Sequence, residues 1–97
     1  MNLRKYAQGQ NCMIRLAGVC NHDPATTVLA HLNMIGISGR GLKAPDFLGS
    51  WACSNCHQAH TTLEFNGAQF AREFIQLAFL EGMARTQYEL IKRGIIK

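Results

Sequence analysis

Ninety-seven residues, with ten Lys and Arg against six Asp and Glu and a formal charge of +4, bound one small globular domain covering 1–97. That size leaves no room for two cores, and the ordinary apolar fraction with few charges excludes a disordered chain. The basic excess points mildly to an anionic partner.

MNLRKYAQGQNC carries Arg4 and Lys5 but no apolar core, so it is not a secretory signal. The most apolar stretch, FAREFIQLAFLEGMA, holds Arg72, Glu73 and Glu81 and is no membrane span. The expected compartment is the cytoplasm, where four cysteines are poor candidates for a disulfide framework.

Along the chain, LRKYAQ (3–8) predicts a helical turn ahead of Gly9, and CMIRLAGVC predicts a short strand and turn ending in Cys12 and Cys20. NHDPATT is a loop, because Asp23-Pro24 initiates a turn. TVLAHLNMI, apolar and β-branched around His31, predicts a buried or half-buried strand. GISGRGLKAPD is too glycine-rich for a regular element and reads as a loop carrying Arg40 and Lys43. FLGSWA predicts a short strand, and a helix follows from Cys53 to about Glu64. Asn66-Gly67 then breaks the chain, with Asn66 a candidate cap for a long helix from about Ala68 to Arg93. Gly94 ends that helix and Ile95 supplies the hydrophobic contact beyond it, while Gly82 is a candidate bend. Around FIQLAFL the apolar residues exceed one stripe, which suggests a homodimer face as well as a core face. The class is α+β, with more helix than strand.

Cys12 and Cys20 (C-x7-C) and Cys53 and Cys56 (C-x2-C) form two separated pairs, the pattern that supplies four thiolates to a tetrahedral Zn2+. The plain alternative is four reduced core thiols, since free cysteine is among the most buried residue types. His22 is a possible substitute ligand, although an exposed turn histidine is the simpler reading. Cys53, Cys56 and His57 also spell the C-x-x-C-H of covalent haem attachment. Haem leaves Cys12 and Cys20 without a role and needs an export route, so zinc is preferred.

The order Cys12, Cys20, His31, basic glycine-rich loop, ACSNCH resembles the HNH, or ββα-metal, nucleases. More closely, LRKYAQGQNCMIRLAGVCN, VLAHLNMIG, APDFLG, ACSNCH, EGMARTQ and the terminal GIIK resemble the YbcO family of small prophage-encoded proteins assigned as nucleases, over nearly the whole chain. The resemblance implies a small zinc-stapled ββα-metal domain with a long C-terminal helix, acting as a metal-dependent endonuclease on duplex or branched DNA. His31 matches the strand histidine and is assigned as general base, a role suited to imidazole because it titrates near neutrality. His57 matches the final histidine of the pattern as ligand to a catalytic ion such as Mg2+, Mn2+ or Ni2+. His60, one helical turn on, is a second candidate ligand. Arg40 and Lys43 are candidates for binding phosphate. Two departures stand out: Ala30 occupies the position before the base, where an acid or histidine is common, and the middle Asn has no counterpart. Asp46 lies in about the right region to serve as ligand or orienter. The alternative function is a non-catalytic zinc module that binds DNA or a phage protein.

Overall fold

Two four-residue strands, β1 (Val28–His31) and β2 (Gly49–Ala52), pair antiparallel with Leu29 opposite Trp51 and His31 opposite Gly49. They are seen in a computed structural model that describes residues 2–34, 36–39 and 41–96. Around them the chain is α+β: α1 (Leu3–Ala7) precedes the sheet and α2 (Ser54–Thr62) follows β2. A small hairpin, β3 (Glu64–Phe65) and β4 (Ala68–Gln69), then leads into the long α3 (Arg72–Lys92).

All four residues of β2 are buried, so the strand lacks the alternation of a half-exposed one. β1 covers one edge. On the other, the Met13 N–H donates to the Trp51 carbonyl (2.7 Å), and the Trp51 N–H donates to Thr86 Oγ1 (3.1 Å). Thr86 in turn donates to the Gly82 carbonyl (2.8 Å). One helical hydroxyl and one loop amide thus satisfy backbone groups that would otherwise be stranded in the core. Trp51 packs with Ala7 and Leu90, and the Arg93 guanidinium lies over its ring at 5.2 Å.

The strand expected within 12–20 does not form. The segment is irregular, with Arg15 left-handed (φ 54°) and the amides of Val19 and Cys20 both donating to the Leu16 carbonyl. Nine extended residues would set their ends roughly 25 Å apart, whereas the thiols of Cys12 and Cys20 meet within one cluster. Gathering both cysteines requires the bend.

The long helix begins at Arg72, four residues later than its periodicity suggested, and Asn66 does not cap it. Asn66 (φ 48°) and Gly67 (φ 84°) instead form the two-residue turn of the β3–β4 hairpin, which requires positive φ at both positions and which Asn-Gly favours. The helix N-cap is Ala71, without a side-chain bond. Its C-terminus follows expectation: Gly94 is left-handed (φ 73°), Ile95 N–H donates to the Leu90 carbonyl and Gly94 N–H to that of Ile91. α3 runs unbroken through Gly82, whose glycine serves close approach, since a Cβ there would collide with Ile14 Cδ1. The loop expected at 21–27 holds one turn of 3-10 helix (Pro24–Thr26), capped by Asp23.

Candidate metal centre and histidine groove

The Sγ atoms of Cys12, Cys20, Cys53 and Cys56 all lie within 4.8 Å of one another. Three of the four residues are buried, and Cys20 is half-buried. Cys12 and Cys20 come from the irregular segment, Cys53 from the N-cap of α2 and Cys56 from its first turn. The Cys20–Cys53 separation of 3.8 Å equals the edge of a sulfur tetrahedron around zinc, about 3.8 Å for Zn–S bonds of about 2.3 Å. Closing the widest pair onto an ion requires side-chain movement of about 1 Å or less.

Charge explains why a cation suits this nest. Burial pushes the Cys20 thiol up to about 11, partly offset by the His22 backbone. Cys12 is held well below the usual thiol range, chiefly by a hydrogen bond from Cys56, whose own thiol is pushed well up by the same bond and by burial. Without a dication one thiolate is tolerated at its neighbours' expense. With one, all four can ionise and leave no open coordination position, as a structural site requires. The donor set therefore fits zinc as four thiolate ligands. His22 is exposed, 3.7 Å from Cys20 Sγ, and lies outside the set.

Polar side chains tie the two cysteine-bearing elements together. Asn55 Nδ2 donates to the Val19 carbonyl (3.0 Å), and Asn21 Nδ2 bridges to Ser54 Oγ (3.1 Å) and Thr26 Oγ1 (3.2 Å). Asn21 and Thr26 carried no motif signal in the sequence; their role appears only once the loop folds over the start of α2.

The second feature is an open groove of about 430 Å3 between β1 and α2. Strand alternation sends Ala30 into the core and Leu29 and His31 to the groove, which Asn33, just beyond the strand, also lines. From α2, positions 57, 60 and 61 share the groove face, while Cys56 and Ala59 are buried. Arg4 and Lys43 close the rim. His31, His57, His60 and Lys43 are thus brought together as the sequence suggested, and Arg40 lies outside the described residues. Arg4 was missed: it lies on another element, far from the motif, with nothing in its neighbourhood to mark it.

His31 Nε2 lies 2.7 Å from Asp46 Oδ1, and Arg4 Nε approaches Asp46 Oδ2 at 3.5 Å. The hydrogen bond from His31 comes first and the Arg4 and Lys43 charges add to it in holding the Asp46 carboxyl below the usual range. An ionised carboxylate only accepts, so Nε2 carries the hydrogen and Nδ1 is the ring nitrogen left for another partner. Burial lowers the pKa of His57, and the nearby His31 adds to this. His60 is lowered by burial and then by His57, and its ring stacks on Phe79 with centroids 4.2 Å apart. Both rings are therefore neutral at pH 7, with a lone pair available to a metal or proton. Among the described residues, the four cysteines are the one group of three or more Cys, His, Asp or Glu whose ligand atoms converge.

A family model described as "Putative nuclease YbcO" matches residues 1–95. The chain belongs to the YbcO family. It is 45% identical to "Putative nuclease YbcO" of Escherichia coli K12 and, to the same degree, to the protein of that name from Enterobacteria phage 82. Each alignment covers 99% of this chain and 97% of the relative. A solved structure, titled "Structure of a putative bacteriophage protein from Escherichia coli str. K-12 substr. MG1655", is similar with a TM-score of 0.76 at 38% identity, over 96% of this chain and 100% of that one. No helix among the described residues is long and apolar enough to cross a membrane.

Proposed function

We propose that this YbcO-family protein is a metal-dependent endonuclease of the HNH type, hydrolysing phosphodiester bonds in DNA with His31 as general base. The observation that carries the reading is His31, hydrogen-bonded to Asp46, in a groove that Arg4, Lys43, His57 and His60 also line. The nuclease names of its relatives support the same class.

Hydrolysis needs a water deprotonated as it attacks phosphorus, and charge compensation for the equatorial and leaving oxygens. Asp46 fixes the tautomer of His31 and stabilises the imidazolium that forms, which leaves Nδ1 to take the water's proton. Arg4 and Lys43 bind the phosphate backbone from the rim. His57, with His60 as a second candidate, offers neutral imidazole to a divalent ion. That ion, when bound, supplies positive charge to the phosphoryl and leaving oxygens. The leaving oxygen departs with a proton from solvent, giving one phosphomonoester and one alcohol. The four-cysteine zinc is structural and keeps α2 against the 12–20 segment.

A second reading, a zinc module that binds nucleic acid without cutting it, draws on Ala30, which is buried where an acid would stand beside the base. The discriminating experiment incubates zinc-loaded protein with supercoiled DNA, branched DNA and RNA in Mg2+, Mn2+ or Ni2+. Conversion of supercoiled DNA to nicked or linear forms supports the endonuclease. Retarded but uncut DNA under every ion supports the binding module.

A further inference from the structure

The long helix α3 carries two apolar stripes on opposite faces. Ile75, Phe79, Gly82, Thr86 and Leu90 are buried against the domain. About half a turn away, Phe74, Leu77, Tyr88 and Ile91 are each more than half exposed. With Glu81 and Ala84 between them, these outward positions run 74, 77, 81, 84, 88, 91, alternating steps of three and four. That is the spacing of a coiled-coil seam, sustained over about 27 Å of helix. A helix holding its domain with one face has no folding reason to repeat such a seam on the other.

We propose that this stripe is a dimer interface on which a second copy of the chain packs its α3 antiparallel about a two-fold axis between Glu81 and Ala84. Charge complementarity selects both the occupant and the direction. In this register Phe74 faces Ile91, Leu77 faces Tyr88, and Glu81 faces Ala84 beside Arg85 of the other copy. Among the described residues neither Glu73 nor Glu81 has an ion-pair partner, and the Arg85 guanidinium donates to the Met13 carbonyl rather than to a carboxylate. A parallel pairing would instead set Glu81 against Glu81 in the middle of the seam, which is unfavourable. The stripe and its flanks carry Glu73 and Glu81 against Arg85 and Lys92, no net charge, so an anionic membrane is a poor match. A two-fold axis makes the patch complementary to itself, as an isologous dimer requires.

The test is sedimentation equilibrium of the zinc-loaded full chain from about 1 to 200 µM, the range a small interface of this kind spans. Wild type is expected to be dimeric at the upper end. Leu77→Glu, at an exposed position, is expected to be monomeric throughout, with unchanged zinc content and, at about 1 µM where wild type is monomeric, an unchanged thermal midpoint. Glu81→Lys or Arg85→Glu alone is expected to weaken the dimer several-fold, and the two reversals in one chain to restore it. A monomeric wild type overturns the proposal, as does a dimer indifferent to Leu77→Glu. A dimer that either reversal leaves intact, or that the double reversal fails to restore, overturns the antiparallel register.

Discussion

The ring of His31 and the carboxylate of Asp46 meet at 2.7 Å although fifteen residues separate them and Asp46 belongs to no strand or helix. β1 fixes His31, and the loop returning to β2 through Pro45 lowers Asp46 onto it; the Leu48 N–H donating to the Pro45 carbonyl (2.9 Å) closes that turn. Asp46→Asn keeps the shape and removes the charge. It should leave the fold intact and lower cleavage by about tenfold or more, since a neutral amide neither dictates the tautomer nor stabilises the imidazolium. Turnover at saturating DNA is the readout, and an undiminished rate would reduce the pair to surface structure.

The cysteine nest makes a stoichiometric prediction. Purified protein should carry about one zinc per chain and show no haem absorption. Because structural zinc is worth on the order of 10 kcal/mol in small modules, comparable to the stability of a whole domain, Cys53→Ser or a strong chelator should unfold the protein or leave it grossly destabilised. Atomic emission beside circular dichroism checks both, and a stable zinc-free fold would contradict the assignment.

Thr86 and Gly82 give separate stability tests. Thr86→Val is nearly isosteric but strands the Trp51 N–H in the core, an expected cost of about 1–3 kcal/mol. Gly82→Ala drives a methyl into Ile14, and the usual helical preference for alanine should be reversed there, with a net loss of about 1–3 kcal/mol. Urea denaturation at fixed zinc measures each.

The histidine pair sets a pH dependence. Burial lowers the folded pKa of both His57 and His60 from 6.5, so below that value the unfolded chain binds more protons than the folded one. Stability should therefore rise with pH from the folded pKa values up to 6.5 and level off above it. A chain carrying His57→Ala and His60→Phe should show a shallower rise over that window when zinc is in excess. Denaturant midpoints in about half-unit pH steps decide the matter, with an equal slope in both chains as the contrary result.

Much of this architecture was readable in the chain. Cys53 and Cys56 opening a helix, His31 on a strand, and the Gly94–Ile95 stop are local patterns whose meaning survives folding. The 12–20 segment misled because its apolar residues, Ile14, Leu16 and Val19, are buried without being extended. Phe70 and Phe74 continue the helical period backwards, and that signal hid the stronger Asn-Gly hairpin turn at 66–67. The four thiols could be grouped by spacing alone. The partnership of Asp46 with His31 was open as ligand or orienter, and that of Arg4 with Asp46 was invisible, since only the packing of α1 and the Pro45 turn against β1 creates it.

The rim cations predict how nucleic acid is held. Arg4→Ala with Lys43→Ala should weaken DNA binding by similar factors across sequences and shallow the salt dependence by up to about two, near 0.9 for each phosphate no longer neutralised. Titrations at several salt concentrations provide the slope; an unchanged slope would make the rim plain solvated surface.

The central claim, that His31 is the base of a nuclease, is met most directly by single-turnover nicking of supercoiled DNA by wild-type and His31→Ala protein, both zinc-loaded, with Mg2+, Mn2+ or Ni2+. The prediction is a fall of about 10²- to 10⁴-fold in rate for His31→Ala, the usual worth of a positioned base, with zinc content and DNA affinity retained. Equal nicking by the two proteins, or no nicking by wild type under any of these ions, would contradict it.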